Sequence, residues 1–310
     1  ERHAKIMKKF NKADIPKCQS EILDIAKPLD NTVGTAMGMY FRHKNSNLII
    51  LPGVPLEMES MLNFYLNSKS LFKVQKQNIV TINTAGIYET KLSNKMKSFM
   101  KKYDNQIYFS FLPSYDGVKI RLANLNSSFN LDIVKIKLLE FLSLYAYGED
   151  NETLEIIVSN FIKNKGLKLS LAESCTGGFI AKKITDIPGS SVFFLGSIVA
   201  YDNKIKHKIL NISNTMLEKF GAVSQEVSEA MALNISKKFN SDIAIACTGI
   251  SGPSGGTKLK PVGTVYISIK FLNQIITKKF IFNVDRNSHR KMTKQAALYM
   301  LWRLFIDFEK

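Results

Sequence analysis

Four short stretches carry residue types that could do chemistry together. ESCTGG (173–178) sets a carboxylate, two hydroxyls and a thiol ahead of two glycines. In it Thr176, Gly177 and Gly178 would present backbone N–H groups at a helix N-terminus, where a phosphate is favoured; the alternative is a tight packing turn. Cys175 is either a thiol whose pKa the helix end lowers or a small buried filler. PGSS (188–191) precedes YDNK (201–204), in which Tyr201 and Lys204 stand three apart and could face one site. A lysine beside a serine serves as a base once burial lowers its pKa, whereas a surface lysine does not. TGISGPSGGT (248–257) lacks the lysine of a P-loop, but Thr248 and its glycines, Gly249 among them, suit a loop lying close to a ligand. VDRNSHR (284–290) is the fourth stretch.

The flanking patterns place these stretches at strand ends. KLSLA, VFFLGSIVAY and DIAIACTG read as buried strands, and GGFIAKKIT, KIKHKIL and SQEVSEAMALNISKKF as helices, the last with Ser224 as N-cap. GTVYISIKFL and QIITKKFIF form a hairpin across Asn273, and RKMTKQAALYMLWRLFIDF a closing helix. Strands alternating with helices predict a layered α/β domain, and in such sheets ligands sit at the carboxyl ends of strands. ETLEIIVSNFIKNKG opens this domain as an amphipathic helix ended by Gly166. Two blocks precede it. In residues 74–150, NIVTINTAGIYETKLSNKMKSFM and GVKIRLANL predict a small α+β unit. In residues 1–73, NLIIL reads as a strand, PGVP as a turn and LEMESMLNFYL as a helix. The third block is 151–310.

The bulk properties limit the function classes. The chain has 310 residues, room for two or three domains with real cores. No apolar run reaches the ~18–20 residues of a transmembrane helix, and no membrane partner is expected. Three distant cysteines and four scattered histidines give neither a disulfide framework nor metal-ligand spacing, so no metal is expected and a reducing cytoplasm is the default. The net charge of +17 comes from lysines spread along the whole length. That distribution argues for solvated faces rather than a nucleic-acid surface. The opening ERHAKIMKKF does not start with Met and has no signal-peptide core, so the sequence is not expected to begin where the natural protein begins.

LAESCTGGFIAKKITDIPGSS, VAYDNKIKHKIL, GAVSQEVSEAMA, CTGISGPSGGT and KPVGTVYISI, in that order, resemble the C-terminal domain of the CinA (competence/damage-inducible) family. That domain is the nicotinamide mononucleotide (NMN) deamidase, also called PncC. INTAGIYETKLSNKM is similar to the family's small KH-like linker domain, without the GXXG loop of true KH domains. NTVGTAMGMYF and LPGVPLEMESM are similar to the end of its molybdopterin-binding-like (MoCF) domain. The upstream half of that domain, where a divalent metal would support ADP-ribose hydrolysis, is not in this sequence, so that activity is not expected of it. The resemblance implies hydrolysis of the NMN carboxamide to nicotinate mononucleotide and ammonia, with no cofactor, in a homodimer. It implies Ser191 as leading nucleophile, Lys204 as base and Tyr201 as orienting or relay group. Ser174 and Thr248 would orient the carboxamide or bind the ribosyl phosphate, and Arg286 or Arg290 would pair with that phosphate. A nucleotide-sensing or nucleic-acid-associated module is the competing expectation.

Overall fold

The computed structural model describes residues 21–44, 46–67, 79–125 and 130–309, with Lys8, Pro16 and Cys18 besides. The chain divides into two compact units, Glu1–Lys76 and Gln77–Lys310. The expected boundary at 73/74 lies outside the described residues.

In the first unit β1 (Lys27–Leu29), β2 (Gly38–His43) and β3 (Ser46–Ile50) form an antiparallel sheet in that order, followed by α1 (Pro55–Asn67). Asn31 organises the loop before β2. Its Oδ1 accepts from Val33 and Gly34 N–H, and its Nδ2 donates to Ala36 O and to Glu57 on α1.

The second unit holds two sheets. The first contains β4 (Ile79–Thr84), α2 (Glu89–Lys101), β5 (Ile107–Ser114), β6 (Gly117–Asn124), α3 (Leu131–Phe141) and β7 (Ala146–Glu149). Its strands run antiparallel in the order β5-β6-β4-β7. Alternate residues Ile120 and Leu122 of β6, with Ile82 of β4, face Leu92, Met96 and Phe99 of α2 and Leu131, Val134 and Leu138 of α3. Both helices therefore cover one face.

The second sheet has the order β12-β11-β10-β8-β9. It is built from α4 (Leu154–Asn164), β8 (Leu169–Glu173), α5 (Phe179–Thr185), β9 (Phe194–Val199), α6 (Asn203–Leu210), α7 (Asn214–Phe220), α8 (Gln225–Phe239), β10 (Ile243–Gly249), β11 (Thr264–Phe271), β12 (Gln274–Ile281) and α9 (Arg286–Phe308). β8 pairs in parallel with β9 and β10, while β10, β11 and β12 are antiparallel neighbours. Along β8 and β10 successive side chains take opposite faces. Leu169, Leu171, Ile243, Ile245 and Cys247 pack on α4, α5 and α9. Ala172, Ala244 and Ala246 pack on Leu210 of α6 and on Val227, Met231 and Ile235 of α8. Small residues on that second face let α8 lie close. This is the layered α/β/α arrangement that the sequence predicts, and Ser224 caps α8 as expected.

Polar contacts join the two sheets of this unit. Lys294 of α9 reaches Asp116 in the β5–β6 turn and Glu155 of α4, each at 2.7 Å. Asn83 donates to the carbonyls of Asp150 and Glu152.

Candidate active site

The parallel strands β8, β9 and β10 end on the same edge of the sheet, and a cavity of about 220 Å³ opens there. Ser174 and Cys175 reach it from the end of β8, Tyr201 from the end of β9 and Lys206 from α6. Thr248, Gly249 and Ser251 come from the end of β10, and Arg286 from the first residue of α9.

Lys206 is the chemical centre. Its side chain is 1 % exposed. Its Nζ lies 3.1 Å from Ser174 Oγ, 2.8 Å from Ala200 O and 3.1 Å from Tyr201 O. Burial pushes its ammonium below the ordinary lysine value, against the opposing pull of the Asp202 carboxylate. The two carbonyls can only accept, so they take two N–H groups. The third position of the nitrogen faces the Ser174 hydroxyl, which accepts from an ammonium or donates to the lone pair of a neutral amine.

Arg286 spans the mouth of the cavity. One guanidinium nitrogen donates to Gly252 O at 3.1 Å, the other to Tyr201 Oη at 2.6 Å. Because the phenol oxygen accepts from Arg286, its own hydrogen remains available as a donor. Gly249 fits a close approach to β11, since a Cβ there would lie 2.7 Å from Thr264 O.

Several expected site residues stand elsewhere. Ser191 lies exposed in a 3₁₀ turn, Ser190–Val192, that leads into the start of β9. It is thus at the amino end of the strand, a strand length of roughly 20 Å from the edge that carries the cavity. Lys204 is exposed on α6 and does not line the cavity. Residues two apart on a helix point about 200° from each other, so burying Lys206 turns Lys204 outward. Arg290 donates through Nε and Nη2 to Thr176 O at 2.8 and 2.6 Å, bracing the turn instead of lining the cavity. Of the two arginines, Arg286 faces the cavity.

The ESCTGG turn answers differently from an anion site. Glu173 is fully buried, and its carboxylate accepts the N–H groups of Ile180 and Ala181 at the start of α5. A phosphate at Thr176, Gly177 and Gly178 would meet a carboxylate already satisfying that helix end. Gly177 and Gly178 have φ of 59° and 88° and serve the turn itself. The Thr176 hydroxyl contacts Cys247 Sγ at 3.0 Å, away from the cavity lining. A hydrogen bond with Cys247 and burial hold the Cys175 thiol well above its usual range, so it lines the cavity as a thiol. Thr248 Oγ1 donates to Ala222 O at 2.8 Å, which leaves it no hydrogen for a phosphate.

Lys206, Ser251 and Asn203 also line the cavity, although the motifs in the sequence do not single them out. Lys206 was accessible in principle. Asp202 is the N-cap of α6, its side chain accepting from Lys204 N–H, and the face counted from that cap that carries Leu210 also carries Lys206.

The fold and site thus define an α/β/α domain with a Ser–Lys pair at the carboxyl edge of its parallel strands. Residues 151–305 match the family model of the CinA C-terminal domain. The chain is 39% identical to the CinA-like protein of Pseudothermotoga lettingae over 286 residues, 91% of this chain and 69% of that one. It is 39% identical to the CinA-like protein of Thermosipho melanesiensis over 305 residues, 97% and 74% of the two chains. The solved competence/damage inducible protein CihA from Agrobacterium tumefaciens has 36% identity and a TM-score of 0.48, covering 49% of this chain and 93% of that one. The chain belongs to the CinA family and carries its C-terminal domain. Among the described residues no helix is long and apolar enough to cross a membrane.

Proposed function

We propose that the chain hydrolyses the carboxamide of NMN to nicotinate mononucleotide and ammonia, with Ser174 as nucleophile and Lys206 as base. The observation that carries the reading is the buried Lys206 Nζ, 3.1 Å from Ser174 Oγ, inside a cavity that also presents Arg286. The substrate follows from the family resemblance; the chemistry follows from the residues. Neutral Lys206 takes the hydroxyl proton as Ser174 Oγ bonds to the carboxamide carbon. The oxygen that gains charge is met by the Tyr201 hydroxyl, whose hydrogen Arg286 does not use. The C–N bond then breaks, and Lys206 returns the proton to the departing nitrogen as ammonia. Water attacks the ester, Lys206 takes its proton, and Ser174 leaves with a proton restored. Arg286 binds the phosphate at the mouth through bidentate charge-assisted bonds.

The test is an NMN assay on the full chain with EDTA present, following ammonia and nicotinate mononucleotide. Formation of both in equal amounts is expected. Folded protein that makes neither overturns the reading.

A further inference from the structure

Two hydroxyls at the end of β10 have their hydrogens committed away from the cavity that they line. Thr248 is 1 % exposed, and its single O–H points to Ala222 O at 2.8 Å, a carbonyl that can only accept. Ser251 is 4 % exposed, with Oγ 2.9 Å from His289 Nδ1. The direction of that bond follows from the other ring nitrogen. His289 Nε2 lies 3.1 Å from Gly263 O, so Nε2 carries the hydrogen and, in the neutral ring, Nδ1 is bare. Ser251 therefore donates to His289. Burial first, and then the charge of Arg286, keep this fully enclosed imidazole below its ordinary pKa and neutral, although its bond to Gly263 O works the other way. The bond to His289 holds the Ser251 hydroxyl in one orientation.

A hydroxyl that has given its hydrogen to the protein offers a ligand only lone pairs. Two of them in one cavity repel a phosphate and pair with a group that donates twice. We propose that Thr248 and Ser251 read the vicinal diol of the substrate's ribosyl group, with His289 as the positioning residue that fixes the polarity of Ser251. This rests on the reading of the site as a hydrolase of a nicotinamide nucleotide. The only other twofold donor in such a substrate is the carboxamide nitrogen. In the proposed reaction that group is taken by Ser174 and Lys206. Ser251 adjoins Gly252, whose carbonyl holds Arg286, the phosphate partner. The sugar is the part of the substrate between those two ends.

The experiment measures kcat and KM of the full chain for NMN, for its 2′-deoxy and 3′-deoxy analogues, and for its N-methyl carboxamide. Wild type is compared with Thr248→Val, Ser251→Ala, His289→Gln and His289→Asn, with thermal melts confirming that each variant is folded. Wild type should prefer NMN to at least one deoxy analogue by about tenfold, the worth of one hydrogen bond to a buried partner. Ser251→Ala or Thr248→Val should bring that ratio close to one, through KM more than kcat. His289→Gln keeps a donor for Gly263 O but offers Ser251 no acceptor, and should lose the discrimination. His289→Asn supplies the acceptor again and should restore it. Unchanged deoxy discrimination in both hydroxyl variants overturns the inference while leaving NMN hydrolysis standing. So does a loss of discrimination confined to the N-methyl carboxamide, which would move the acceptor pair to the amide. Folded wild-type protein that neither binds nor hydrolyses NMN overturns the proposed function itself.

Discussion

Lys206 and Lys294 are both buried lysines of the same unit, 1 % and 2 % exposed, yet their surroundings differ in kind. Lys294 Nζ sits between the carboxylates of Asp116 and Glu155, each at 2.7 Å, with Gln295 Oε1 at 3.1 Å. All three of its donors meet acceptors, two of them charged, so the ion pair ties α9 to α4 and to the β5–β6 turn. Lys206 has a hydroxyl and two backbone carbonyls, all neutral. Nothing in direct contact repays the desolvation of its charge, and its ammonium is weakened accordingly. On the proposed mechanism, burial among neutral partners suits Lys206 to act as a base, whereas the carboxylates around Lys294 make it a structural tie.

Replacing each lysine in turn separates the two roles. Lys206→Arg keeps a positive charge but cannot deprotonate at working pH. NMN hydrolysis should fall by about 10²–10⁴-fold, the range that a positioned base contributes, with the protein still folded. Lys204→Arg should leave the rate unchanged, because that side chain lies outside the cavity. Equal losses in the two variants would remove the distinction between the buried and the exposed lysine.

Lys294→Met should do the reverse. It leaves Glu155 buried without its partner, and breaking a buried pair costs about 3–5 kcal/mol, read from denaturant unfolding. The residual folded protein should keep its kcat. A catalytic defect without a stability defect would contradict the structural assignment.

Arg286→Ala should raise KM for NMN by about tenfold or more, as a charge-assisted contact of 1.5–3 kcal/mol is lost. It should change much less the turnover of the corresponding nucleoside, which lacks the phosphate. Arg290→Ala should act through stability, because its guanidinium holds Thr176 O.

The smallest effect concerns pH. Lys206 must be neutral to act as a base, so kcat/KM should rise with pH through its lowered pKa and fall as acid restores the ammonium. Asp202 favours the charged form. Asp202→Asn, still a good helix N-cap, should move the rising limb toward lower pH by a fraction of a unit. A shift toward higher pH would contradict the assignment of that limb to Lys206.

The layers of the third block were legible because its strands and helices have clean periods. Leu169 and Leu171 alternate with small residues along β8, and Ser224 announces α8. β5, with Pro113 near its end, and the short helix α7 carry no comparable signal. The edge of the sheet that carries the cavity was legible too, from Ser174, Tyr201, Thr248 and Arg286. The chemistry within it was not. Choosing Lys204 over Lys206 turns on where α6 begins, and one helical step of two residues exchanges the inward face for the outward one. The family resemblance points to Ser191, but that residue enters β9 at the edge opposite the cavity. The two sequence distances, 191 to 204 and 174 to 206, carry no sign of which pair meets. Partner sets such as Ser251–His289–Gly263 O join residues far apart in the chain, and only the fold brings them together.

The central claim is that Ser174 is the nucleophile. It is tested most directly by the steady-state rate of ammonia release from NMN by Ser174→Ala in the presence of EDTA, with Ser191→Ala alongside. Ser174→Ala should lose more than about 10³-fold with NMN binding largely kept, while Ser191→Ala should turn over at a near-normal rate. Substantial turnover by Ser174→Ala, or an inactive folded Ser191→Ala, would contradict it.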